Sequence, residues 1–173
     1  MSTIDRKDIA RKISIVFQNP THQIFERTVW KEQVLTSTIL GSLDEETTDR
    51  SRELLQAANL EKYLDRNPFS LSHGQKRRLN VTSILTHSPT ILLLDEPFIG
   101  QDKVGREFIL NEIASVDGAS LIVTHSPKFA KNYCNRIIFV KNGGIFLDGP
   151  PETVLKKLND TGHSEYSEME VDN

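Results

Sequence analysis

The sequence predicts an α/β protein with a mostly parallel sheet, helices on both faces and an inserted helical subdomain. Three observations carry that expectation. Apolar runs in "TILLLDEP", "ASLIVTHS" and "RIIFV" are separated by stretches of helical period, so the strands need crossover connections and lie parallel. Upstream, "KISIVF" is a β-branched run closed by the turn signal Asn19-Pro20, which makes it a further buried strand. Between these, residues 21–88 contain no clear strand. The division that follows is a core of residues 1–20 and 89–159, a helical subdomain at 21–88, and an acidic, disordered tail from 160 to 173.

In chain order, "TTDRSRELLQAANLEKYL" places Leu54, Leu55, Ala58 and Leu64 at helical spacing, with Asp44 or Thr47 as its cap. "LSHGQKRRLNVTSIL" opens with Ser72 as N-cap and continues as a helix through Leu79 and Leu85. Its basic "KRR" is misplaced beside the positive end of the helix dipole unless these residues face something negative. "DKVGREFILNEIASV" is helical in period, and "GGIFLDG" is a strand after a Gly-Gly turn. "PPETVLKKL" begins with Pro at a first helical turn, where a missing N–H costs nothing.

Composition bounds the function. With 173 residues, 37% of them hydrophobic, the chain suits one domain with a real core. No signal-like start is present and the apolar runs are broken by charge well short of a bilayer span, so a cytoplasmic protein is expected. Cys134 is the single cysteine, which excludes an internal disulfide and a cysteine metal cage. The net charge of −3 is concentrated in the tail. Removing Asp160, Glu165, Glu168, Glu170 and Asp172 leaves 21 basic against 19 acidic residues, too balanced for nucleic acid as the main partner.

The chemistry begins where a buried parallel strand delivers Asp95 and Glu96 to the carboxyl edge of the sheet, the edge at which open α/β folds bind ligands. Two acids after a strand are most often ordinary surface residues. At a binding edge, one can hold Mg²⁺ through water while the other orients or deprotonates a water for attack on a phosphoryl group. His125 follows the next strand and can hydrogen-bond a terminal phosphoryl group, although a histidine there is usually a cap. Gln18 ends the first strand with an amide that both donates and accepts. Ser72 and Gly74 open a helix whose free N–H groups form an anion site.

Together, "VFQNPTHQIF", "LSHGQ", "ILLLDEP", "GQD" and "IVTHS" resemble the nucleotide-binding subunit of an ABC transporter, over about residues 6–158. The spacing agrees, with Gly74 lying 21 residues before Asp95 and Glu96 lying 29 before His125. The resemblance implies a partial P-loop NTPase (RecA-like) core whose helical subdomain carries the signature at Leu71, Ser72, His73, Gly74 and Gln75. It implies that Gln18 is the Q-loop glutamine, Ile91 to Asp95 the Walker B strand, Glu96 the catalytic base, Asp102 a D-loop residue and His125 the switch histidine. ATP and Mg²⁺ are the implied cofactors, with Asp95 and Gln18 toward the metal. Within the family, "FQNPTHQIF" and "LSHGQKRR" are similar to the energy-coupling factor branch, which powers uptake of vitamins or of cobalt and nickel ions. His73 departs from the commoner "LSGGQ", and the added imidazole can clash with the nucleotide or hydrogen-bond to it.

No G-x-x-x-x-G-K-[ST] occurs in these residues, so the phosphate loop and its lysine are not among them. In the family's head-to-tail dimer each ATP lies between one phosphate loop and the other subunit's signature. The expectation is therefore a chain that completes a partner's site in trans and does not hydrolyse ATP alone. Loss of the phosphate-loop strand should leave the strands before His125 and at 137–140 either paired directly or marginally stable. The implied partners are a second ATP-binding subunit, either a copy or a complete paralogue, and a transmembrane transporter subunit, on the inner face of the membrane. Two other readings stay open: a degenerate, non-catalytic interaction subunit, and a gene remnant.

Overall fold

In the computed structural model, which describes residues 5–163, "ISIV" forms strand β1 (Ile13–Val16), preceded by helix α1 (Arg6–Lys12). The chain divides into two units, residues 1–123 and 124–173, each with its own sheet.

In the first unit β1, β2 (Ile91–Asp95) and β3 (Ala119–Val123) form a parallel sheet in that order. The register aligns Ile13 with Ile91, Ile15 with Leu93 and Leu121, and Asp95 with Val123. Because side chains alternate across a strand, this sorts the residues into two faces. One face, with Val16, Leu92, Leu94 and Ile122, packs against Leu79, Phe108 and Ile109 in the main core. The other presents Ile13, Ile15, Ile91, Leu121 and Val123, all exposed. An all-parallel sheet is normally covered on both sides, so this open apolar face is a distinctive feature of the unit.

The inserted subdomain is helical, as expected. It comprises α2 (Val29–Leu40), α3 (Glu45–Ala57) and α4 (His73–Leu85), with α5 (Lys103–Ala114) following β2. Each start has a local cause. Thr28 caps α2 through the Lys31 N–H, and Gly41 ends it at φ +68°, a left-handed turn suited to glycine. Asp44 and Thr47 make a reciprocal capping box on α3, so both expected caps take part in one device. Ser72 and Gln75 do the same for α4. The helical reading of "NLEKYL" gives way to a single 3₁₀ turn at Glu61–Tyr63, because α3 closes at Ala58 and Asn59 takes a positive φ.

Helix α4 is the hub of this unit. Its interior positions Asn80, Thr82, Ser83 and Thr86 are buried and polar, and they bond mainly among helices. Gln33 of α2 donates to Thr86 Oγ1 at 2.9 Å and accepts from Thr82 Oγ1 at 2.7 Å.

In the second unit α6 (Pro127–Tyr133) is capped by Ser126. Strands β4 (Ile137–Lys141) and β5 (Gly144–Gly149) form an antiparallel hairpin, with α7 (Pro151–Asp160) following. Val154, Leu155 and Leu158 of α7 pack on Ile137, Phe139 and Leu147. Asn142 and Gly143 both take positive φ, the signature of a two-residue hairpin turn whose twist matches its strands, so β4 pairs locally with β5. Asp160, placed at sequence level at the start of the tail, is the last residue of α7. Residues 164–173 of the tail lie outside the described residues.

Candidate functional site

At the carboxyl edge of the parallel sheet, β1 ends before Phe17-Gln18 and β2 ends at Asp95-Glu96. Beyond β1 the chain turns at once. Gln23 clamps the turn, its Oε1 accepting from Phe17 N and its Nε2 donating to Ile15 O, both at 2.8 Å. Asn19 caps the following 3₁₀ turn through the Thr21 N–H. Gln18 is exposed on this loop and Asp95 is half-buried at its strand end. Glu96 is buried and takes φ +46°, a left-handed conformation that costs a residue with a Cβ free energy and collects at functional sites. Its N–H donates to Val123 O at 2.9 Å, which extends the β2–β3 ladder by one bond.

The signature stretch lies at the N-terminus of α4, and its residues divide by environment. Leu71 is buried in the main core and serves packing. Ser72 and His73 are exposed. Ser72 N donates to Gln75 Oε1 at 2.9 Å and Gln75 N donates to Ser72 Oγ at 3.3 Å, so these two side chains close the helix start upon each other. Gln75 Nε2 also donates to the Tyr63 hydroxyl at 3.3 Å, and that hydrogen bond, more than nearby Lys62 and Arg66, holds the phenol below its ordinary pKa.

Gly74 meets the loop after β2. A Cβ there would lie 2.8 Å from Gly100 O, so the close backbone approach that glycine permits is taken up within the chain. Gln101 Nε2 donates to Gly74 O at 3.1 Å. The His73 ring lies over Gly100, whose own Cβ would come 3.1 Å from His73 Nδ1 and whose φ is +73°. Asp102 accepts from Gly105 N at 2.8 Å as the N-cap of α5, and stands 3.9 Å from Arg78 NH1. Thus Leu71 to Gln75 and Asp102 belong to one interlocked surface, formed by the start of α4 and the loop that follows Glu96.

His125 opens the second unit, exposed in the turn between β3 and α6. Cys134 is half-buried at the end of α6, and burial pushes its thiol up, as suits an unreactive sulfur.

Two residues that the sequence reading passed over prove central. Arg77 is completely buried and donates to the carbonyls of Phe17 at 3.0 Å and Asp95 at 3.1 Å, and to that of Gln18. Burial lowers its pKa, while the charges of Asp95 and then Glu96 act in the opposite sense. Gln101 joins Gly74 to Arg78, accepting from Arg78 NH1 at 3.3 Å. The available signal was "KRR" beside a helix N-terminus; what Arg77 and Arg78 face is carbonyls and acids of their own chain.

The family model for ABC transporters matches residues 1–99. The energy-coupling factor transporter ATP-binding protein EcfA2 of Caldanaerobacter subterraneus is 36% identical over 159 residues, covering 89% of this chain and 56% of that protein. Its namesake from Bacillus subtilis is 37% identical over 158 residues, covering 88% and 57%. The chain therefore spans a little more than half the length of these relatives. Among solved structures, cbiO1 of Clostridium perfringens, part of the ABC transporter complex cbiONQ, superposes with a TM-score of 0.70 at 28% identity, covering 92% of this chain and 70% of that one. An ATP-binding subunit of an ABC transporter superposes at 0.81 and 20% identity over 94% and 71%, a likeness of fold. With a family model matched over more than half its residues, and the motif stretches of the first unit gathered at one sheet edge, the chain belongs to the ABC transporter family.

Proposed function

We propose that the chain serves as an ATP-binding subunit of an energy-coupling factor type ABC transporter, coupling ATP binding and hydrolysis to solute uptake. The segment that holds the phosphates comes from outside these 173 residues. The observation that carries the reading is the meeting of Gln18, Asp95 and Glu96 at neighbouring strand ends, joined to the start of α4 through a single guanidinium. The open sheet face supports the second half of the proposal. Asp95 lies in the same row as Val123 on that face, so a polypeptide covering it would bring its phosphate-holding groups beside the acid pair.

In this reading Gln18 and Asp95 would hold Mg²⁺, and Glu96 would orient a water and take up its proton. His125, which belongs to the second unit, would donate to a terminal phosphoryl group. The first turn of α4, with Ser72 and Gly74, offers N–H groups to the phosphate of a second ATP-binding subunit. The donors present suit such a metal in part. Among the described residues no three His, Cys, Asp or Glu side chains cluster as a metal site, and Mg²⁺ commonly takes one or two carboxylates, several waters and phosphate oxygens. Bound there, the ion would supply neutralisation of phosphate charge. No described helix is long and apolar enough to cross a membrane, in keeping with a peripheral position on the inner membrane face beside a transmembrane subunit.

Nucleotide binding and phosphate release on the purified chain test the proposal. The expected result is no turnover by the chain alone and no change with Glu96→Gln. Turnover that Glu96→Gln abolishes would refute the need for an outside phosphate loop.

A further inference from the structure

We infer that Arg77 is a positioning residue that holds Glu96 in its left-handed conformation and fixes the ends of β1 and β2 to the start of α4. The functional meaning of this clamp rests on the reading just given; its geometry does not. Arg77 is a fully buried guanidinium, and its hydrogen bonds go to main-chain carbonyls of Phe17, Gln18 and Asp95. These carbonyls lie where β1 and β2 leave their ladder, and a buried C=O beyond a ladder needs another donor. One planar fork meets all three, which an ammonium on a flexible stem does less completely.

The decisive contact is the one with Asp95 O. The peptide joining Asp95 to Glu96 is a rigid plane. Its oxygen accepts from Arg77 NH1 at 3.1 Å, while its N–H, on Glu96, donates to Val123 O at 2.9 Å. Gripped at both edges, that plane enters Glu96 in one orientation, and Glu96 sits at φ +46°. A disfavoured backbone conformation persists only where its surroundings over-determine it; this pair of bonds fixes the plane that enters Glu96, and the Ile99 N–H, donating to Glu96 O at 3.4 Å, restrains the plane that leaves it.

Packing alone does not account for Arg77. Its Nε is buried without an acceptor, and a buried charge carries a desolvation cost that an apolar side chain of similar volume does not. A residue retained at that cost, with its donors spent on the two strand ends that carry Gln18, Asp95 and Glu96, is placed for geometry. It also lies one helical turn beyond Ser72, so the same side chain joins the signature turn to the strand ends.

Amide hydrogen exchange and NMR on the full chain without nucleotide test this, comparing Arg77→Met, Arg77→Lys and a core control, Leu79→Ala. In Arg77→Met the Glu96 amide should exchange roughly tenfold faster or more, as expected for loss of a charged donor. The strong intraresidue N–H to Hα contact of a positive φ should weaken at Glu96, and Arg77→Lys should restore both in part. Leu79→Ala, matched for melting loss, should raise exchange broadly and leave the Glu96 φ unchanged. Unaltered exchange and φ in Arg77→Met, or the same change at Glu96 in Leu79→Ala, would overturn the inference. Should Arg77→Met not fold, Arg77→Lys decides: intermediate exchange at Glu96 supports the clamp and wild-type exchange refutes it. Because no ATP is involved, failure here leaves the transporter reading standing, and failure of the phosphate-release test leaves the clamp standing.

Discussion

The open face of the parallel sheet makes a quantitative prediction. Ile13, Ile15, Ile91, Leu121 and Val123 are 38–55% exposed, the last two most of all. Together they leave on the order of 400 Å² of apolar surface in water, comparable to the largest patch on a typical monomer. Covering it would contribute up to about 10 kcal/mol at the usual area coefficient, an upper bound for a rigid sheet. Replacing Leu121 and Val123 with Thr places two β-branched side chains on an edge strand and removes roughly a third of the apolar area, since each Thr keeps a methyl. The chain alone should then lose only about 1–2 kcal/mol, since both side chains are already half in water. Binding of a dye specific for exposed apolar surface should fall by about a third, and self-association in sedimentation should weaken. Unchanged dye binding, or collapse of the fold, would show that the face is not open to solvent and that no outside segment is needed to cover it.

Substitutions at three other positions probe the packing behind the site. His87 Nε2 pairs with Ser14 Oγ at 3.0 Å, and burial lowers the pKa of the ring below its ordinary 6.5. The unfolded chain therefore takes up a proton that the folded chain resists, so stability is full above pH 6.5 and declines below it, by up to about 1.4 kcal/mol per pH unit; urea midpoints at pH 7.5 and 5.5 should differ less in His87→Gln. Gly100→Ala combines a φ of +73° with a Cβ 3.1 Å from His73 Nδ1 and should cost about 1–2 kcal/mol by thermal melting, with part of the loss recovered in the double variant with His73→Ala. Gln33→Ala empties a fully buried site and removes bonds to Thr82 and Thr86, for about 2–4 kcal/mol. Gln33→Leu should cost less, because it fills the volume that Ala leaves empty, while in both variants Thr82 and Thr86 can donate to Leu79 O and Thr82 O.

The strands, the helical insertion and the caps were legible because each rests on a local signal. "ILLL" is apolar throughout, as a central parallel strand must be, and Ser72 and Asp44 announce helix starts through their own hydrogen-bonding chemistry. Long-range partners were less legible. The bonds of Arg77 reach back to Phe17 and Gln18 and forward to Asp95, and nothing at 76–78 distinguishes the buried arginine from its neighbours. Lys76 lies over the Phe69 ring and Arg78 reaches Ala58 O, so three adjacent cations have three different fates. The hairpin of β4 and β5 was legible as two strands, but their antiparallel pairing depended on the positive φ of Asn142 as well as of Gly143.

The same contrast explains why the signature stretch is well ordered in a chain with one sheet face uncovered. The turn at Ser72 to Gln75 draws its order from contacts on the closed side of the sheet: the capping box, the Gln101 bond to Gly74 O, the His73 ring on Gly100 and the burial of Leu71. None of these involves the exposed row of Ile13, Ile15, Ile91, Leu121 and Val123. The surface proposed for a partner's nucleotide is thus built without the segment that would complete this chain's own site. A chain that is open on one face can in this way present a finished edge on the other, which is what the proposed contribution to a second subunit's site requires.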